Sequence, residues 1–172
     1  GEGVGVVTLP GLGLEIGGPA INKTPRAMME TIVRRHYPTG GVDITVSIPA
    51  GRELAPKTFN PRLGIIDGIS VVGTSGVVKP FSSEAFIASI VRQADVAVAL
   101  GADTIVINSG AKSEKYLKAA FPDLPFQSFV QYGNFIGETL EKLASLSIPK
   151  IYMGIMLGKA VKLAEGNMDT HS

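Results

Sequence analysis

Two rhythms of apolar and polar positions divide the chain. Through about residue 80 the apolar positions come in short runs broken by Gly1, Gly3, Gly5, Gly11, Gly13, Gly17 and Gly18, leaving strand candidates at 4–8 and 12–16. Thr24 followed by Pro25 reads as the cap and first position of a helix. Met28, Met29, Ile32 and Val33 form its apolar stripe, and His36 falls in its last turn, where a cation meets the helix dipole. Val42, Ile44, Val46 and Ile48 alternate with the period of a half-buried strand, and 52–63, with two prolines, reads as a polar loop. This part is expected to be α+β.

From Leu63 onward the rhythm becomes strand, loop, helix, repeated. An apolar strand over 64–72 leads into Gly73-Thr74-Ser75-Gly76, and Ser82 or Ser83 caps a helix that Gly101 stops. A strand at 104–108 gives way to Asn108-Ser109-Gly110 and a helix capped by Ser113 and reaching 121. A strand at 126–130 leads to Gln131-Tyr132-Gly133-Asn134 and a helix over 135–146. A last strand at 150–157 precedes a helix over 158–165. Strands apolar throughout, alternating with helices, predict a parallel sheet over 64–157 covered on both faces. Right-handed crossovers place all strand-to-helix loops at one edge, where such sheets bind ligands. The expected domains are residues 1–80, α+β, and 81–172, α/β with a short parallel sheet continuing beyond the chain. Any single loop uses Gly, Asn and Ser for its backbone angles; four at one edge point to a site.

Composition narrows the class. Hydrophobic residues make up 45% of the 172 and charged ones 18%, which describes a globular protein. A formal net charge of +1 argues against a general nucleic-acid or membrane-surface partner. The absence of cysteine removes disulfides, thiolate metal sites and cysteine nucleophiles, and fits the reducing cytoplasm. No apolar run is long enough to span a bilayer as a helix. Familiar motifs fail on inspection. Gly154-x-x-x-Gly158-Lys159-Ala160 is one residue short of a P-loop and lacks the metal-binding hydroxyl, and Gly11-x-Gly13 lacks a third glycine. The two histidines are far apart, so no metal site of protein ligands is expected. Lys159 opens the last helix, and Asn167, Asp169, Thr170, His171 and Ser172 cluster after it. That polar, reactive end reads as part of a site that continues beyond a fragment.

Several ordered segments resemble the CbiD family of cobalt-precorrin-5B C1-methyltransferases. They are 1–8 with Gly11-Leu12-Gly13; Gly18-Pro19-Ala20-Ile21-Asn22; Thr58-Phe59-Asn60-Pro61-Arg62-Leu63-Gly64-Ile65; and Gly68-Ile69-Ser70-Val71-Val72-Gly73-Thr74-Ser75-Gly76. Further along are Asn134-Phe135-Ile136-Gly137 and Gly158-Lys159 through Thr170-His171-Ser172. The resemblance spans nearly the whole chain, and because family members are longer at both ends it implies an internal fragment. Many relatives carry a histidine just before the Gly-Lys pair, where this chain has Ile155, Met156 and Leu157.

The resemblance implies methyl transfer from S-adenosylmethionine to ring carbon C1 of cobalt-precorrin-5B, giving cobalt-precorrin-6A, with cobalt present only as part of the corrinoid substrate. It also implies that the first part resembles an incomplete, permuted form of ribosomal protein S5 domain 2. Under this reading Gly73, Thr74, Ser75, Gly76, Asn108, Ser109, Gly110 and Asn134 approach the methyl donor. Arg52, Lys57, Arg62, Asn167 and Thr170 bind the carboxylate-bearing macrocycle, and Lys159 and His171 face its carboxylates or the reacting ring edge. A sulfonium methyl is already electrophilic, so positioning can supply much of the rate, up to roughly 7–11 kcal/mol. Two other classes stay open from the residues alone: a non-catalytic module binding an anionic metabolite, and a phosphate- or nucleotide-binding transferase. Neither a nucleic acid nor a membrane is an expected partner, and oligomers are possible without support from the sequence.

Overall fold

In the computed structural model the described residues are 1–73, 77, 82–168 and 170. The chain divides into two compact units, residues 1–80 and 81–172. Together they form a mixed α/β protein.

The first unit is built around close backbone crossings. Strand β1 (Val6–Val7) pairs antiparallel with β2 (Ile65–Ile66), Val6 opposite Ile66 and Val7 opposite Ile65. Single bridges add Val4 to Ile69 and Ile21 to Val71 in parallel. A Cβ on Gly51 or Gly68 would collide with the backbone of Gly3, so glycine is needed where these segments cross. Buried Asn60 ties the crossing together, its Nδ2 donating to the Gly68 carbonyl at 3.2 Å and its Oδ1 accepting from the Ser70 hydroxyl at 2.9 Å. Helix α1 (Lys23–His36) carries Arg34, Arg35 and His36 in its last turn, as the dipole favours.

Several sequence expectations fail in this unit. Residues 12–16 form bends leading into a turn, and 42–48 has no ladder partner among the described residues despite its alternation. Helix α1 begins at Lys23 with Asn22 as its cap residue, so Thr24 lies inside it. The supposed loop at 52–63 is instead helix α2 (Gly51–Leu54) followed by 3₁₀ turns at Ala55–Lys57 and Asn60–Leu63. Each turn has proline at its start, where the missing N–H is not needed. The apolar run 64–72 supplies only β2 and isolated bridges in this unit, and none of it enters the parallel sheet.

The second unit holds that sheet: β3 (Thr104–Asn108), β4 (Phe129–Gln131) and β5 (Lys150–Gly154), all parallel, in the order β4-β3-β5. Helix α3 (Ser83–Ala99) precedes β3, α4 (Ala111–Ala120) links β3 to β4, α5 (Ile136–Ala144) links β4 to β5, and α6 (Leu157–Ala164) follows. Ser82 caps α3 by accepting from the Ala85 N–H at 3.2 Å. Ile90, Ala94 and Ala97 of α3 and Leu143 of α5 pack with Ile105, Ile107, Val130 and Tyr132 in one buried cluster. The opposite face is covered by α4, whose Leu117 lies against Gly154 and whose following Phe121 ring sits 4.7 Å from that of Tyr152.

Two details differ from expectation. Gly110, not Ser113, is the cap residue of α4; Ser113 is buried in the first turn, its hydroxyl donating to the Gly110 carbonyl at 2.9 Å. Strand β5, at one edge of the sheet, is not covered on both sides: Ile151, Tyr152 and Met153 stay 40–43% exposed. No helix among the described residues is long and apolar enough to cross a membrane.

Candidate functional site

The strand order defines one crevice. From β3 the chain goes out to β4 on one side and returns to β5 on the other, so the connections diverge at the carboxyl ends of β3 and β5. In open parallel sheets ligands bind at this switch point, because the loops separate and leave a gap there.

Tyr132 lies beneath the gap. Its N–H donates to the Asn108 carbonyl at 2.8 Å, extending the β3–β4 ladder, and its fully buried side chain reaches across to Gly154, hydroxyl to carbonyl, at 3.4 Å. Burial raises the phenol pKa above its ordinary 10.0, and a hydrogen bond with Ser109 acts in the opposite sense. One residue of the β4 loop therefore contacts the ends of both β3 and β5.

The Asn108-Ser109-Gly110 loop is held from below. Asn108 is completely buried; its Nδ2 lies 3.5 Å from Glu114 Oε2 and 3.4 Å from the Val130 carbonyl, while its Oδ1 accepts the Gly110 N–H at 3.1 Å. Its side chain is thus used up within the fold, while Ser109 and Gly110 are half-buried. A Cβ on Gly110 would meet nothing within 4 Å, although φ of 151° disfavours one. Helices α4 and α6 both start at this end, and neither cap residue, Gly110 or Met156, makes a side-chain cap. Their first N–H groups, with the dipoles behind them, favour an anionic group in the crevice.

Lys159 closes the other side. From the first turn of α6 its Nζ donates to the Gly133 carbonyl and to Asn134 Oδ1, both at 2.6 Å. Thr170 joins the same loop through its N–H, 3.2 Å from the Asn134 carbonyl. Thr170 is buried, and its hydroxyl has no partner among the described residues.

Of the residues expected at a site, the second unit thus brings together Asn108, Ser109, Gly110, Asn134, Lys159 and Thr170. Asn167 is exposed nearby, its N–H bonded to the Lys162 carbonyl at 3.0 Å. Gly73, Arg52, Lys57 and Arg62 belong to the first unit, so three of the four expected loops share the sheet edge. Thr74, Ser75, Gly76 and His171 lie outside the described residues. Sequence reasoning placed Gln131 and Tyr132 in a loop at this edge without giving either a role, and passed over Gln93 and Glu114. Glu114 shares a helix face with Leu117 and Phe121 at the spacing of a buried stripe, which was the available signal. No group of three or more histidine, aspartate or glutamate residues placed to hold a metal occurs among the described residues.

Comparison with known proteins shows what the chain is similar to. Residues 1–80 match the family model CbiD. The whole chain aligns with the cobalt-precorrin-5B C(1)-methyltransferases of Prosthecochloris aestuarii at 47% identity, Variovorax paradoxus at 44% and Geobacillus thermodenitrificans at 46%. The chain is similar to the CbiD family along its whole length. It spans about half the length of these curated relatives, 48%, 48% and 47% respectively. The crystal structure of the cobalamin biosynthesis protein CbiD from Archaeoglobus fulgidus aligns at 27% identity over 99% of this chain and 53% of that one, with a TM-score of 0.37. At that value the backbones do not superpose closely.

Proposed function

We propose that this chain is part of a cytoplasmic S-adenosylmethionine-dependent methyltransferase acting on C1 of cobalt-precorrin-5B in cobalamin biosynthesis. The observation that carries the reading is the 43–47% identity, over the full chain, to family members bearing that enzyme name. The switch-point crevice gives the chemistry a place. Ser109, Gly110 and Asn134, with the uncapped N–H groups of α4, suit the polar, neutral and carboxylate groups of the methyl donor, and Gly73 to Gly76 are assigned to it as well. Lys159, Arg52, Lys57, Arg62, Asn167 and Thr170 suit a macrocycle edged with carboxylates, with His171 at the reacting edge. The first unit is read as part of a permuted ribosomal protein S5 domain 2-like fold.

The methyl donor brings its own electrophile. The new bond from methyl to C1 forms as the methyl–sulfur bond breaks, leaving a neutral thioether and passing the positive charge to the macrocycle. The residues of this chain bind, orient and neutralise carboxylates; a nucleophile or metal of the protein is not required. In the test, the full-length protein receives cobalt-precorrin-5B and methyl-labelled S-adenosylmethionine. One labelled methyl on the macrocycle and release of S-adenosylhomocysteine are expected. A folded protein that binds neither compound overturns the reading.

A further inference from the structure

The buried carboxylate of Glu114 has no part in the chemistry above, yet it sits at the centre of the polar contacts under the crevice. From the first turn of α4, and only 5% exposed, it accepts from Gln131 Nε2 at 2.9 Å and from Asn108 Nδ2 at 3.5 Å through Oε2. Its Oε1 pairs with Lys118 Nζ at 2.8 Å. Placing a carboxylate here costs desolvation, which three donors offset.

The arrangement fixes one amide in a single orientation. A carboxylate accepts but cannot donate, so the nitrogen of the Gln131 carboxamide must face Glu114 and the oxygen must face away. The backbone of Gln131 is pinned as well, its N–H donating to Oε1 of buried Gln93 at 3.2 Å. Gln131 is the last residue of β4, half-buried at the carboxyl end of the sheet beside Asn108. Its Oε1 has no partner among the described residues. A single acceptor is held rigid at the ligand-binding edge with its rotation already restricted.

We infer that Glu114 is a positioning residue that aims the Gln131 carbonyl oxygen at a hydrogen-bond donor of the methyl donor's nucleoside, a ribose hydroxyl or the exocyclic amine. This rests on the proposed methyltransferase reading. Pre-orientation matters because a free glutamine loses rotamer entropy on binding and can present its nitrogen instead, so a fixed oxygen favours donor-bearing ligands.

The test is calorimetric titration of the full-length protein with S-adenosylhomocysteine. Gln131→Met keeps the length and loses the acceptor, and should raise Kd about tenfold. Glu114→Ala should give a similar rise. The double variant should be no weaker than Gln131→Met alone, because Glu114 acts through Gln131. Glu114→Gln keeps the length but can donate as well as accept, so it no longer fixes the Gln131 carboxamide and should recover only part of the affinity. The 2′-deoxy analogue and S-inosylhomocysteine identify the donor: the one lacking it should bind wild type weakly and be insensitive to Gln131→Met. Wild-type-like affinity in folded Gln131→Met, or additive losses in the double variant, overturns the inference while leaving the methyltransferase reading intact. Absence of S-adenosylhomocysteine binding by the wild-type protein removes that reading, and this one with it. If Glu114→Ala does not fold, Gln131→Met and the two analogues still decide.

Discussion

The Tyr132 hydroxyl lies 3.4 Å from the carbonyl of Gly154, so a side chain from the end of one outer strand, β4, reaches the end of the other, β5. The N–H of the same residue donates to the Asn108 carbonyl at the end of the central strand at 2.8 Å. Three strand ends are therefore tied through Tyr132.

Replacing Tyr132 with Phe should cost about 0.5–1.5 kcal/mol, the usual net worth of a hydrogen bond. The pH dependence gives a sharper signature. The folded-state phenol pKa is raised above 10.0 by burial, so the native state holds the proton more tightly than the unfolded chain. Its contribution is fully present below pH 10 and is lost as pH rises from there through the folded value. Denaturation of wild type and Tyr132→Phe should give curves of constant separation from pH 7 to 9, converging above pH 10. A separation that stays constant to pH 11 would show that the phenol is not desolvated.

Gly154 ends β5 against α4. A Cβ there would collide with Leu117, so Gly154→Ala should destabilise by about 1–3 kcal/mol through overpacking. Adding Leu117→Ala should return part of that loss, since the obstacle is a side chain. Urea denaturation of the two single variants and the double tests this: a double variant at the sum of the two losses would mean that Gly154 is needed for another reason.

How much of this could be read from the chain differs by unit. The strand at 104–108 was legible to the residue, because Thr104 to Asn108 are buried on both faces and a continuous apolar run is the direct consequence. The cap was legible as Ser82 or Ser83, and it is Ser82 whose hydroxyl meets the Ala85 N–H through purely local geometry. The alternation at 42–48 misled because a period of two reports which side chains share a face, not whether another strand lies alongside. The 52–63 segment misled because Pro56 and Pro61 open 3₁₀ turns as readily as they interrupt a loop. At the site, Asn108 was found by position but not by role. Whether its amide faces a ligand or the interior depends on Glu114, six residues on and one helical turn into α4, and such a contact has no local signature.

The cap at Ser82 yields a further expectation. Its hydroxyl accepts from Ala85 and donates to Glu84 Oε2 at 2.6 Å, satisfying an otherwise orphaned donor in the first turn of α3. Ser82→Ala should cost about 1 kcal/mol and Ser82→Asp close to nothing, as read from thermal midpoints of the intact protein. Equal losses in both would mean that the hydroxyl's donation to Glu84 matters more than the cap.

Lys159 distinguishes a brace from a binding residue. Its Nζ donates at 2.6 Å to both Gly133 and Asn134, so α6 is fastened to the loop between β4 and α5. Lys159→Met removes both bonds and should cost about 1–3 kcal/mol of stability, because bonds from a charged donor are the stronger kind. If Lys159 also meets the carboxylates of the macrocycle, the full-length variant should show a raised apparent KM for that substrate and little change in S-adenosylhomocysteine affinity. Salt gives an independent readout: the wild-type KM should rise with ionic strength as the attraction is screened, and the variant's should rise less. Lys159→Arg keeps the charge but not the compact geometry, so it should retain the salt dependence while losing part of the stability. A variant that loses stability and affinity for both ligands in proportion would mark Lys159 as a brace alone.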